Sequence, residues 1–286
     1  MKIFSQRHPV ILLTYFLMVL VCLMTMHPII IGISLSGALC YIALLTSWSY
    51  CLKELLYYIG YTILITIMYA SFAHNGVTPL FFYNDHAITK EAVFHGAMFG
   101  ATFCTLAFWI NAVLQTMQTN HFLFLFTKIH PLLGLFCAMC FRFFPYYKTL
   151  WLQNKRGQQG VHYFFTASRF DRAAKWVLLQ LHTFVQAFDA VFWKPTILYS
   201  KGYQKKRTQF QLFSWHWRDY IIAGILLTLG ITLTLSYNNL QFDYFPRTES
   251  VVLSPVIVCS TAVLCWLPAI IEGKGLIKWH LLQSKM

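Results

Sequence analysis

Two short steps in this chain place cations beside glycine: Lys155-Arg156-Gly157 and Ser200-Lys201-Gly202. At a helix end such cations can grip carboxylates on another molecule, Arg as a two-pronged fork and Lys as a point charge. The same residues also serve plain helix termination, since cations favour the negative end of the helix dipole and Gly favours the left-handed cap. Both steps lie in the stretch Arg142 to Arg218, which also holds Lys148, Arg169, Arg172, Lys175, Lys194, Lys205, Lys206 and Arg207. More than half of the 22 Lys and Arg residues therefore fall in about a quarter of the chain, with only Asp171 and Asp189 as acids before Asp219.

Other chemistry finds little support. No G-x-x-x-x-G-K-[ST] phosphate loop, H-E-x-x-H or G-x-S-x-G occurs, so the chain is not expected to hydrolyse ATP or act as an enzyme. Cys137 and Cys140 have C-x-x-C spacing, but no second Cys or His pair follows at a zinc-like distance, and packing is the expected role of all 8 cysteines. His182 and Asp189, seven apart on one helix face, read as a solvated face. An enzyme acting on a lipid-like substrate would need clustered carboxylates to hold a metal. An autonomous transporter would need ionisable groups within its spans, and His95 is the main candidate there.

The elements that must position the cations are those of a membrane protein. The chain is 58% hydrophobic and only 11% charged, with mean hydropathy +0.56, whereas soluble domains carry about 25% charge. Apolar runs predict six spans: Val10 to Met26, Ile29 to Trp48, Leu55 to Ala73, Ala92 to about Met117, Tyr220 to Tyr237 and Val251 to Ile271. His74 to Glu91 is expected to be a polar-aromatic loop, with Thr89 capping the next helix. Pro131 to Pro145 is apolar but short and holds Arg142, which suits an interfacial or buried helix rather than a span.

A cation in hydrocarbon costs roughly 2.5–3.5 kcal/mol on an insertion scale, so the basic block is expected at the cytoplasmic surface. With six spans both termini and residues 118–218 lie inside, leaving Lys90 and Arg247 as the exported cations. The net charge of +13 then follows from the positive-inside rule, and no nucleic-acid-binding module accompanies it. The expected organisation is 1–117 as four spans, 118–218 as a cytoplasmic domain, and 219–286 as two spans with a basic tail.

Within the basic domain two long amphipathic helices are expected to cross. The first runs from about His130 to near Arg156, bending near Pro145, with Gly157 and Gly160 as stop signals. The second starts near Ser168, where Ser168 and Asp171 resemble a capping box, and continues to Lys201 and Gly202 with a kink at Pro195. Val177, Leu181, Phe184, Phe188 and Val191 form its apolar stripe.

On these residues the chain resembles a family. Arg142-Phe-Phe-Pro145, a cation-glycine helix end, then Lys201-Gly202-Tyr203 with Arg207-Thr208 and Arg218-Asp219, is similar to the transmembrane (T) component of energy-coupling factor (ECF) transporters. His8-Pro9, Gly76-Val-Thr78-Pro-Leu80 and Ile88-Thr89 resemble the Firmicute-type, cobalt-transport Q-like members. The resemblance implies an all-α scaffold in a bacterial plasma membrane that binds no cofactor itself. Two ABC-type ATPase subunits hydrolyse ATP, and a small membrane-embedded S subunit binds the vitamin or metal ion.

It further implies that two coupling helices enter grooves on the ATPases through Lys155, Arg156 and Gly157 and through Ser200, Lys201 and Gly202. Arg142, Pro145, Arg207, Thr208 and Asp219 would be structural. Lys201 stands where the family usually has Arg, and the first motif can be read to end at Gly160, with Gln159 in the arginine slot.

Overall fold

A computed structural model describes residues 4–73, 75–83, 86–161, 168–193, 200, 213–236, 242, 244–246 and 253–283. Among them are the helices α1 (Pro9–Leu23), α2 (Pro28–Leu45), α3 (Trp48–Phe72), α4 (Lys90–Thr116), α5 (Thr119–Ile129), α6 (Pro131–Gly160), α7 (Arg169–Phe192), α8 (Trp217–Leu235) and α9 (Pro255–Gln283). A hairpin of β1 (Pro79–Tyr83) and β2 (His86–Thr89) interrupts the helical pattern. The chain divides into two compact units, one of residues 1–118 with 213–286, the other of residues 119–212.

This is a helical membrane protein. Five helices in the first unit, α2, α3, α4, α8 and α9, are long and apolar enough to cross a bilayer. The sixth expected span, α1, is apolar but has 15 residues. At 1.5 Å per residue it reaches about 22 Å, short of a hydrocarbon core of about 30 Å.

Several helix starts follow one local rule. His8-Pro9, His27-Pro28 and His130-Pro131 each place His at the N-cap and Pro in the first turn, where a missing N–H costs nothing. Each imidazole Nδ1 accepts the backbone N–H two residues on, at 3.3 Å. Thr89 caps α4 as expected, its hydroxyl accepting from Ala92 N at 3.3 Å. Ser168 makes no side-chain capping bond, contrary to the expected capping box.

The core of the first unit lies among α1, α2, α4 and α9, around Phe4, Leu12, Tyr15, Tyr41, Phe108 and Leu264. Several polar groups inside it are paired, although the Tyr15 hydroxyl is buried there without a hydrogen-bond partner among the described residues. Trp109 Nε1 donates to Ser34 Oγ at 2.8 Å, the Tyr41 hydroxyl lies 2.7 Å from that of Thr116, and Phe4 N donates to Glu272 Oε2 at 3.0 Å. Gly37 lets α2 close on α9, since a Cβ there would lie 2.7 Å from Cys265 O.

Helix α3 is peripheral. It packs on α4 at Gly96 and Gly100, whose missing side chains admit Thr66 and Thr62. Otherwise it is covered only at Cys51 and Ala70.

Helices α3 and α4 begin earlier than the apolar runs, so charges expected outside the spans lie within helices. Lys53 and Glu54 sit in α3, and Glu91 opens α4. Asn111 Nδ2 donates to Glu54 Oε2 at 2.8 Å and Gln115 Nε2 to Asn111 Oδ1 at 2.8 Å, while Tyr50 donates its hydroxyl to Glu54 Oε1. The carboxylate is thus satisfied by hydrogen bonds near one end of each helix. His95 packs among Tyr69, Phe99, Tyr244 and Phe245, with centroids 4.5–6.5 Å away. Tyr244, outside the spans, donates to Met26 O, and burial pushes its phenol up to about 12, which keeps it a donor.

Candidate functional site

In the second unit α6 and α7 pack on each other. Phe143 meets Phe184 edge-on at 5.4 Å, Phe136 and Phe192 lie 6.2 Å apart, and Tyr147 donates its hydroxyl to Gln180. Asn154 Nδ2 donates to Thr183 Oγ1 and to Gln186 Oε1, both at 3.1 Å.

The buried face of α7 is Leu179, Thr183, Ala187 and Val191, one residue per turn. This corrects the expected stripe, of which only Val191 is buried. Leu179 is 2% exposed and Leu181 57%, with Val177, Phe184 and Phe188 also exposed. Small side chains at 183 and 187 let the backbones approach, so the smaller residues take the inner position and the larger apolar ones remain outside.

Of the expected tip residues, Lys155, Arg156 and Gly157 lie on α6, which continues one turn further to Gly160. The Lys155 ammonium sits 5.0 Å from the Trp151 ring centroid, a cation–π contact that holds its stem against the helix. Arg156, Gly157, Gln159 and Gly160 are exposed. Arg142 is exposed as well, and Pro145 lies within the continuous helix α6.

Neither Gly157 nor Gly160 is required by a contact among the described residues. A Cβ at either would meet nothing within 4 Å, and among the described residues Gly76 is the one glycine with positive φ. Each costs about 0.5–1 kcal/mol of helix stability relative to Ala. Two glycines one turn apart on an exposed helix end therefore leave a bare strip of backbone, flanked by Arg156, that no contact among the described residues requires.

The expected second helix is interrupted. Helix α7 ends at Phe192 with Trp193 as its cap, short of the predicted run to Lys201. A proline at 195 has no N–H to give the carbonyl of Val191, so the sequence itself disfavours an uninterrupted helix through this point. Ser200 is exposed. Pro195, Lys201, Gly202, Arg207 and Thr208 lie outside the described residues.

Asp219 belongs to the first unit rather than to the domain in which its motif was read. It lies in the first turn of α8, is 2% exposed, accepts from His216 N at 3.2 Å and pairs with Arg7 at 3.3 Å. Arg7 had signalled only orientation in the sequence, and its partner 212 residues away carries no local signature.

His182 and Asp189 are exposed on α7, and among the described residues no group of three His, Cys, Asp or Glu could hold a metal ion. Cys137 and Cys140 are both free thiols. No protein-family profile matches the chain, and comparison with characterised proteins gives no significant match.

Proposed function

We propose that this chain is the transmembrane T component of an ECF-type importer, a scaffold that passes ATP-driven motion from two ABC-type ATPase subunits to a membrane-embedded S subunit carrying a vitamin or metal ion. The chain hydrolyses no ATP itself. It resides in a bacterial plasma membrane with α1 as a sixth, short span and both termini and residues 118–218 in the cytoplasm.

The observation that carries this reading is the end of α6: exposed Arg156 followed by two glycines that no contact among the described residues requires. A bare backbone strip beside a guanidinium suits insertion into an acidic groove, where Arg forks onto carboxylates while the partner's surface approaches the helix closely. The exposed stripe of Val177, Leu181, Phe184 and Phe188 supports it further. Large apolar side chains left uncovered on a long helix mark a surface that another molecule covers, and here that molecule is the S subunit.

Co-expression with the ATPase pair tests the reading. Charge reversal at Arg156 and Lys201 puts carboxylates into acidic grooves, and breaking such a charge pair costs about 2–5 kcal/mol, so assembly is lost while membrane insertion is kept. Unchanged recovery of the ATPases with both positions reversed would remove the assignment. Loss at Lys201 alone would move the first motif to Gln159.

A further inference from the structure

We propose that the β1–β2 hairpin lies in the interfacial zone of the lipid bilayer, as an apolar blade joined to the ends of α3 and α4. The inference requires only that those two helices span the membrane, and it is independent of the transport reading.

The base of the hairpin is fixed. Glu91 Oε1 accepts from the Thr78 hydroxyl at 2.7 Å and Oε2 from Thr78 N at 3.3 Å, while Thr89 donates its hydroxyl to Asn75 O at 2.6 Å. Lys90 N reaches Thr78 O at 2.9 Å. Gly76 turns the chain at φ 128°, where a Cβ would meet Glu91 Oε2 at 2.7 Å. Ile88 and Thr89 are buried beneath it.

Beyond that base β1 presents apolar side chains that are open on both faces. Phe81 pairs with Ile88 and Phe82 with Ala87, with the register shifted between Pro79 and Phe81. Successive strand residues point to opposite faces. Phe81 is 55% exposed and Phe82 73%, so both faces of β1 carry an uncovered ring, the face of Phe81 being covered on β2 only at Ile88, and Leu80 is exposed too. A water-facing hairpin would carry polar side chains on at least one face. No charged residue occurs from Val77 to Tyr83, and Asn84 and Asp85 come next in the sequence.

The occupant follows from continuity. The hairpin begins within a few residues of exposed Phe72 at the end of α3, whose own surface is almost wholly uncovered along the span. Lipid that covers α3 therefore reaches Val77 and the blade. Depth follows from the backbone: a two-stranded hairpin has two outer edges of unpaired N–H and C=O groups, which hydrocarbon cannot satisfy. The blade thus rests at headgroup depth, where aromatic rings are favoured and water still reaches the edges.

An environment-sensitive fluorescent amino acid placed at Phe82, and separately at Leu80, in the full chain reads this out. The protein is reconstituted in phosphatidylcholine–phosphatidylglycerol vesicles carrying nitroxide lipids labelled at shallow or deep positions, with the same probe at Gln153 as a control. Both hairpin probes should emit at shorter wavelength than the control. Shallow nitroxides should quench them at least threefold more than deep ones, and iodide should quench them less than the control. Control-like emission and iodide quenching would overturn the proposal. So would preferential quenching by deep nitroxides, or protection from both lipid and aqueous quenchers, which would mean that a second copy of the chain covers the blade.

Discussion

Arg7 Nη1 lies 3.3 Å from Asp219 Oδ1, an ion pair that joins the segment before α1 to the first turn of α8 across 212 residues of sequence. The two partners differ in burial, with side-chain exposures of 16% and 2%. Removing the cation leaves a buried carboxylate with the His216 N–H but without its counter-charge, whereas removing the carboxylate leaves a cation that is partly open to water. Arg7→Gln is therefore expected to cost about 2–3 kcal/mol and Asp219→Asn less, because hydrogen bonds to charged groups contribute about 1.5–3 kcal/mol. Thermal unfolding in detergent with a double-mutant cycle checks this, and additive losses would contradict the direct pairing.

Two glycines on α2 have opposite prospects. A Cβ at Gly37 would lie 2.7 Å from the Cys265 carbonyl oxygen, while Gly32 faces open space. Gly37→Ala should destabilise by about 1–3 kcal/mol through overpacking. Gly32→Ala should be neutral or stabilise by up to about 1 kcal/mol through helix propensity. Equal melting temperatures for the two variants would place the α2–α9 contact elsewhere.

Much of this was legible in the sequence, and the reasons differ by element. Long uncharged runs locate α2, α3, α4, α8 and α9 because hydrocarbon admits nothing else. Their starts were misplaced for the same reason: hydropathy sees Lys53, Glu54 and Glu91 as limits, while the backbone continues a helix through them when a neighbour such as Asn111 or Thr78 satisfies the carboxylate. The hairpin was hidden because Leu80-Phe-Phe82 lacks alternation, its two faces being equally apolar. On α7 the four-and-three spacing of apolar residues differs from the buried face, which steps by four and includes Thr183 and Ala187, residues that carry little apolar signal. His-Pro at helix starts was visible three times over as a repeated dipeptide. The Arg7–Asp219 pair was not, since nothing local marks a partner so far along the chain.

Burial on α7 yields a paired expectation. Leu179→Ala removes a fully packed side chain and should cost the isolated chain about 2–4 kcal/mol. Leu181→Ala should change its melting by less than about 0.5 kcal/mol, as surface substitutions do, yet weaken recovery of the S subunit. Equal effects of the two on stability would reverse the face assignment.

The bare strip on α6 gives the sharpest local contrast. Gly157→Ala and Gly160→Ala should stabilise the isolated helix by up to about 1 kcal/mol each, because no neighbour obstructs a methyl group. Co-purification of the ATPases should fall with the same substitutions. A gain in helix stability with undiminished assembly would show that the glycines serve no partner.

The most direct measurement is purification of the tagged chain from its native membrane in mild detergent, with identification and ATPase assay of what accompanies it. The account predicts two ABC-type ATPase subunits and a small membrane protein in stoichiometric amounts, with hydrolysis that disappears when the chain is isolated from them. A chain that purifies alone, or that hydrolyses ATP as a verified single subunit, would contradict it.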